Sequence, residues 1–169
     1  MTTLRPPALA PGRWPVVATR TAATFTVRNF GLRHVTGTLP VTEAWVEVDG
    51  AGVPRAVRAT LDLRAIATGN ARRDADLQKP HLLDTAKYPT LTFTGTPQPA
   101  AGGWTVPGTL AGRQSAEVTV AATIASAASH EITVHASAEL DRRELGVRAP
   151  RFLIGRRLLV EVTATFLAP

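Results

Sequence analysis

Apolar and polar side chains alternate with a period of two along most of this chain, the signature of strands with one buried face. In TFTVRN, Phe25 and Val27 share one face, while Thr24, Thr26 and Arg28 share the other. Ala44, Val46 and Val48 alternate with Glu43, Trp45, Glu47 and Asp49. Val57, Ala59, Leu61 and Leu63 oppose Arg58, Thr60, Asp62 and Arg64. The pattern returns at Leu91 and Phe93, at Trp104 and Val106, and at Val118, Val120 and Ile124. It continues through Ile132, Val134, Ala136 and Ala138, and ends with Val160, Val162, Ala164 and Phe166.

These segments predict about eight strands, separated by turn signals at Asp49-Gly50-Ala51-Gly52, Ala101-Gly102-Gly103 and Gly155. Short alternating strands with turns between them point to an all-β antiparallel sandwich or barrel. The inward residues are small or medium, so an eight-stranded barrel could hold one elongated apolar ligand. A sandwich with a filled core has the same pattern.

One stretch breaks the alternation. TGNARRDADLQKPHLLDTAKYPTLTF, residues 68–93, carries paired arginines, several carboxylates, a histidine and two prolines. Asn70 is a good N-cap, Ala71 to Lys79 suits a helix, and Pro80 stops it. HLLD adds a turn, and Tyr88-Pro89 forces an extended entry into the next strand. The spacing predicts a short helical insert around residues 70–84.

Composition narrows the chemistry. The absence of cysteine excludes disulfides, thiolate nucleophiles and cysteine-ligated zinc. Aromatics make up only 5% of the 169 residues, so the barrel interior is built from Val, Leu, Ile and Ala. The net charge of +6 is nearly all arginine, since Lys79 and Lys87 are the only lysines. The opening MTTLRPPALAPGRWPVV lacks a continuous apolar core, and no run is long enough to span a membrane. These features predict a cytoplasmic protein with a flexible leader over residues 1–12 and a single domain over 13–169.

The insert also carries a family resemblance. Thr68-Gly69-Asn70, Arg73-Asp74, Leu77, Leu83-Asp84, Tyr88-Pro89 and Phe93 stand at the spacing of the signature of the YceI-like family of lipid- and polyisoprenoid-binding proteins. Trp14, FTVRNFG, Val35-Thr36-Gly37, ELGVRAP and VEVTATF resemble further parts of it, over about residues 14 to 167. There are departures: Arg20-Thr21 replaces a His-Ser pair, Asp76 a histidine and Leu82 a phenylalanine, and GTLAGRQ resembles a shortened version of the family's G-x-L-T-I-x-G. The resemblance implies an elongated lipocalin-like barrel that holds a long apolar chain, an isoprenoid or a quinone in some members. It also implies that the chain could homodimerise.

On this reading the protein is a non-enzymatic carrier or sequestering protein for a polyisoprenoid, an isoprenoid quinone or another lipid. It needs no catalytic residue, metal or cofactor. Strand parity selects Phe25, Val27, Leu61, Leu63, Leu91, Phe93, Val134 and Val162 as apolar lining. Asn70, Arg73, Asp74, Asp84, Tyr88 and Pro89 form the structural motif of the insert, which closes the barrel rather than reacting. One alternative is a small enzyme using the carboxylates and His81 near the barrel mouth. Another is a basic scaffold, or a transient membrane-surface contact, through the hairpin of Arg142, Arg143, Arg148, Arg151, Arg156 and Arg157. No aromatic stacking platform accompanies those arginines, so nucleic acid is not an expected partner. Neither a G-x-S-x-G elbow nor a phosphate loop is present.

Overall fold

The computed structural model describes residues 8–29, 33–147 and 157–169. Its strands are β1 (Gly12–Pro15), β2 (Ala22–Asn29), β3 (Arg33–Leu39), β4 (Val41–Val48), β5 (Pro54–Asp62) and β6 (Thr90–Gly95). They continue with β7 (Gln98–Ala100), β8 (Gly103–Ala111), β9 (Ser115–Ala127), β10 (Glu131–Asp141) and β11 (Arg157–Leu167). Among the described residues one α-helix, α1 (Ala71–Leu77), lies between β5 and β6, and short 3-10 turns occupy Ala18–Arg20 and Leu63–Ala65. No helix among the described residues is long and apolar enough to cross a membrane.

All strand pairs are antiparallel, in the order β1-β4-β5-β6-β8-β9-β10-β11-β2-β3, with β7 pairing beside β8. The path has ten strands rather than the eight expected. The additional ones are β1 and β3, and β7 adds a three-residue fragment off the path. β1 and β7 are too short to show a two-residue hydrophobic period, and in β3 a glycine stands between Val35 and Leu39 on the apolar face.

The sheet curls into an elongated lipocalin-like barrel, and closure rests on specific contacts. Pro40 separates β3 from β4, so one run of chain pairs with β2 on one side and with β5 on the other. Thr38 and Ala67 exchange backbone hydrogen bonds of 2.8 and 3.1 Å, and the Asp62 amide donates to the Pro40 carbonyl at 3.0 Å. At the opposite end, Val16 N donates to Ala44 O at 2.9 Å and Val17 N to Thr165 O at 2.8 Å, which brings β4 against β11.

Register irregularities alter the side-chain parity. A bulge between Val41 and Glu43 leaves Val41 inward together with Ala44, although the two differ in parity. Another irregularity, between Glu47 and Val48 opposite Pro54, brings Pro54 to the same interior as Val57. Pro107 sits within the central strand β8, and its carbonyl accepts from Thr96 N at 3.2 Å. Its backbone therefore faces the break between β6 and β7, where no strand needs the amide that proline lacks.

Of the leader expected over residues 1–12, residues 1–7 lie outside the described residues. Leu9 packs against the core and its amide donates to Gly52 O at 3.1 Å. Trp14 is 4% exposed and its indole Nε1 donates to Ala10 O at 2.9 Å. Trp14→Ala should destabilise the protein by about 3 kcal/mol, from lost apolar burial and the void left behind. Urea unfolding followed by circular dichroism measures this, and an unchanged midpoint would show that Trp14 does not anchor this end.

Candidate ligand cavity and its polar insert

The barrel is hollow. Two chambers of about 220 and about 180 Å³ lie inside it. Each exceeds the engineered cavity of about 150 Å³ that stays dry and binds benzene. They share Leu39, Leu91, Leu140 and Val160 and so lie end to end. Inward-facing Val46, Val57, Val120, Val134, Ala136 and Val162 are only partly buried, because they border space rather than partners. No large side chain among the described residues is less than 2% exposed. A close-packed interior of this size would contain several.

The wall of the first chamber is apolar apart from Thr21. Leu61, Phe93, Val134 and Val162 lie there, and Leu91 borders both chambers. Phe25, Val27 and Leu63 lie on the second chamber, beside the insert. Leu63 was expected to continue the strand from Leu61. It belongs instead to the 3-10 turn after β5, which carries it past the strand end and into the second chamber.

Glycines set the bore. Gly37 is the cross-strand partner of Phe25, and a Cβ there would meet the phenyl ring at about 2.2 Å. Gly95 and Gly108 are paired in the same way beneath the ring of Phe93. The rings therefore lie against the wall over bare backbone, and the lumen between them stays open.

The insert is held by a compact hydrogen-bond network. The Asn70 side chain accepts from Arg73 N at 3.0 Å, which caps α1. Asp74 Oδ1 accepts from Thr68 N at 3.0 Å and from Thr68 Oγ1 at 2.5 Å. Arg73 grips the same residue, with Nε to Thr68 Oγ1 and Nη2 to Thr68 O both at 2.8 Å. Helix α1 ends at Leu77, two residues before the expected Lys79, and hydrogen-bonded turns continue the insert to Asp84. Asp84 is buried with φ 51°, a left-handed conformation that aspartate tolerates better than most residues. Its carbonyl accepts from Lys87 N at 3.0 Å and Tyr88 N at 2.9 Å, and Pro89 O accepts from Leu63 N at 2.9 Å.

Gln78 and Arg113, at this end, were not singled out in the sequence, and Arg142 was read there only as part of a basic hairpin. The Gln78 amide donates to Leu63 O and Arg64 O, each at 3.3 Å, and Gln78 accepts from the Thr85 hydroxyl. Arg113, in the β8–β9 turn, donates through Nη1 to Pro80 O and, at 3.3 Å, to Leu82 O. Arg142 is 3% exposed and donates to Val147 O at 2.9 Å. Arg113 and Arg142 both line the second chamber, as Arg73 does. A signal for Arg142 was present, since it continues the inward parity of Ala136, Ala138 and Leu140. Arg142 is thus interior rather than part of an exposed basic hairpin. Arg143 pairs with Asp141 at 3.3 Å, while Arg148, Arg151 and Arg156 lie outside the described residues.

The groups suggested for catalysis do not converge. Asp76 forms an ion pair with Lys79 at 2.8 Å, and the hydrogen bond and charge of Lys79 hold its carboxyl below the usual range. His81 is exposed, while Asp74 is committed to Thr68. Among the described residues no group of three or more His, Asp or Glu could hold a metal ion.

An antiparallel sheet curled around an apolar lumen, with its ends joined by isolated bridges and with a helical insert at one end, defines a lipocalin-like fold. Residues 14–166 match the profile of the YceI-like domain, and the chain belongs to that family. Solved structures with the same fold include BcnA of Burkholderia cenocepacia, 17% identical with a TM-score of 0.74 over 89% of this chain and 98% of that one. A polyisoprenoid binding domain from Saccharophagus degradans, implicated in plant cell wall breakdown, is 15% identical with a TM-score of 0.70, over 92% and 98% of the two chains. The YceI protein of Campylobacter jejuni is 17% identical with a TM-score of 0.72, over 84% and 90%. No curated protein matches the chain.

Asp74→Ala should cost about 1–3 kcal/mol, because buried Thr68 then loses acceptors for both its amide and its hydroxyl. Thermal unfolding checks the loss. Wild-type stability in this variant would remove Asp74 from the structural role.

Proposed function

We propose that the barrel takes up one long apolar molecule, a polyisoprenoid, an isoprenoid quinone or another single-chain lipid, and carries or sequesters it without changing it chemically. The observation that carries this reading is the hollow interior: two end-to-end chambers whose inward Val, Leu, Ala and Phe side chains are left partly unburied. Family membership and the likeness to a polyisoprenoid binding domain support it.

The energetics set the ligand class. Burying apolar carbon stabilises by about 0.8 kcal/mol per methylene. Association costs about 4–15 kcal/mol before any net affinity appears. A ligand held mainly by this wall therefore needs on the order of a dozen buried carbons, which the elongated lumen favours over a compact small molecule. Eight lining positions, Phe25, Val27, Leu61, Leu63, Leu91, Phe93, Val134 and Val162, would contact the chain.

Two experiments test the reading. Native mass spectrometry of protein purified without detergent should show an added mass that organic extraction releases as a lipid. Ala136→Phe should then block the first chamber. In a hollow barrel the ring fills free space, so the melting temperature stays within a few degrees while lipid uptake falls at least about tenfold. In a filled core the same change would overpack the interior and cost about 1–3 kcal/mol. A destabilised Ala136→Phe variant would show that this part of the interior is filled, and absence of any bound or taken-up lipid in the wild type would refute the carrier.

A further inference from the structure

The two chambers differ in charge. Among the described residues the first has no charged residue in its wall, whereas Arg73, Arg113 and Arg142 border the second, and neither wall contains an aspartate or a glutamate. Of the insert's three carboxylates, Asp74 is engaged with Thr68 and Asp76 with Lys79, while Asp84 is buried but does not line the chamber. Arg73 and Arg113, at the end of an apolar tube whose described wall holds no carboxylate, suit an anionic oxygen ligand, which arginine binds through parallel N–H donors.

Donors remain for such a ligand. Arg113 uses Nη1 on the Pro80 and Leu82 carbonyls, and its Nε and Nη2 have no partner among the described residues. Arg73 uses Nε and one Nη2 hydrogen on Thr68, and its Nη1 has no partner among the described residues. Arg113 spans the space between the β8–β9 turn and the insert, so it sits on the boundary of the second chamber rather than on the outer face of the barrel.

We propose that the second chamber is a head-group site for a single-chain amphiphile bearing a carboxylate or a phosphate. The head lies against Arg113 and Arg73, and the tail runs past Leu39, Leu91, Leu140 and Val160 into the apolar chamber. This rests on the carrier reading and adds to it a ligand charge and a binding direction. A neutral lipid would occupy the same tube but leave the guanidinium donors unanswered.

Displacement of the uncharged probe N-phenylnaphthylamine by dodecanoate, dodecyl phosphate and dodecanol at neutral pH tests it. At least one anion should bind about tenfold or more tighter than the alcohol, the scale expected of a charge-assisted hydrogen bond. Arg113→Gln should remove most of that ratio, and Arg113→Lys should retain more of it than Arg113→Gln does. Preference for only one of the two anions supports the proposal and identifies the head. Equal binding of anions and alcohol by the wild type overturns the head-group site and leaves the carrier standing. Failure of all three to displace the probe overturns the carrier as well. If inorganic phosphate alone raises the melting temperature as much as dodecyl phosphate does, the site serves a free anion and the amphiphile is rejected.

Discussion

The circumference of the sheet exceeds what its inward side chains can fill. Ten strands enclose the interior, and the residues turned into it are largely valine, alanine and leucine. Apolar side chains must face inward to leave water, but those of this length do not meet across the lumen. The fold is therefore stable only as a lined tube. Its strands are held by backbone ladders and by packing along the wall more than by contact across the centre.

That constraint explains the placement of the few large side chains. Trp14, Trp104, Ile132 and Phe166 gather in the core at the end away from the insert. Phe25 and Phe93 border the lumen, but each lies over glycine on the neighbouring strand, so their bulk is taken up by the wall. A Cβ on those strands would push the rings toward the axis and narrow the tube.

The other end is closed by polar chemistry. A tube end exposes backbone groups that no strand can satisfy, and hydrogen bonds there are costly to leave unmade. The insert meets this with Thr68, Asn70, Arg73, Asp74 and Gln78, which satisfy one another and the backbone of the preceding turn. The same arrangement brings arginines from three separate parts of the chain to one chamber, so the closure of the barrel and the polarity of its interior have a common origin.

The two-residue alternation determined the long strands, their inward faces and the all-β class, because burial on one side of a pleated strand is written directly in the order of residues. The Asn70 cap, the interruption at Pro80 and the extended entry at Tyr88-Pro89 were equally legible, since each acts within a few residues of itself. Strand number was not. Strands β1 and β3 are defined by what they pair with, and a bulge at Thr42 reverses parity without any mark in the hydrophobic pattern. The choice between a filled sandwich and a hollow barrel also needed the tertiary structure, because the same inward valines fit either, and only closure of the sheet fixes the distance across the lumen. Arg73, Arg113 and Arg142 come together for the same reason. They are far apart in the chain, and it is the curl of the sheet, which no local pattern encodes, that sets them around one cavity.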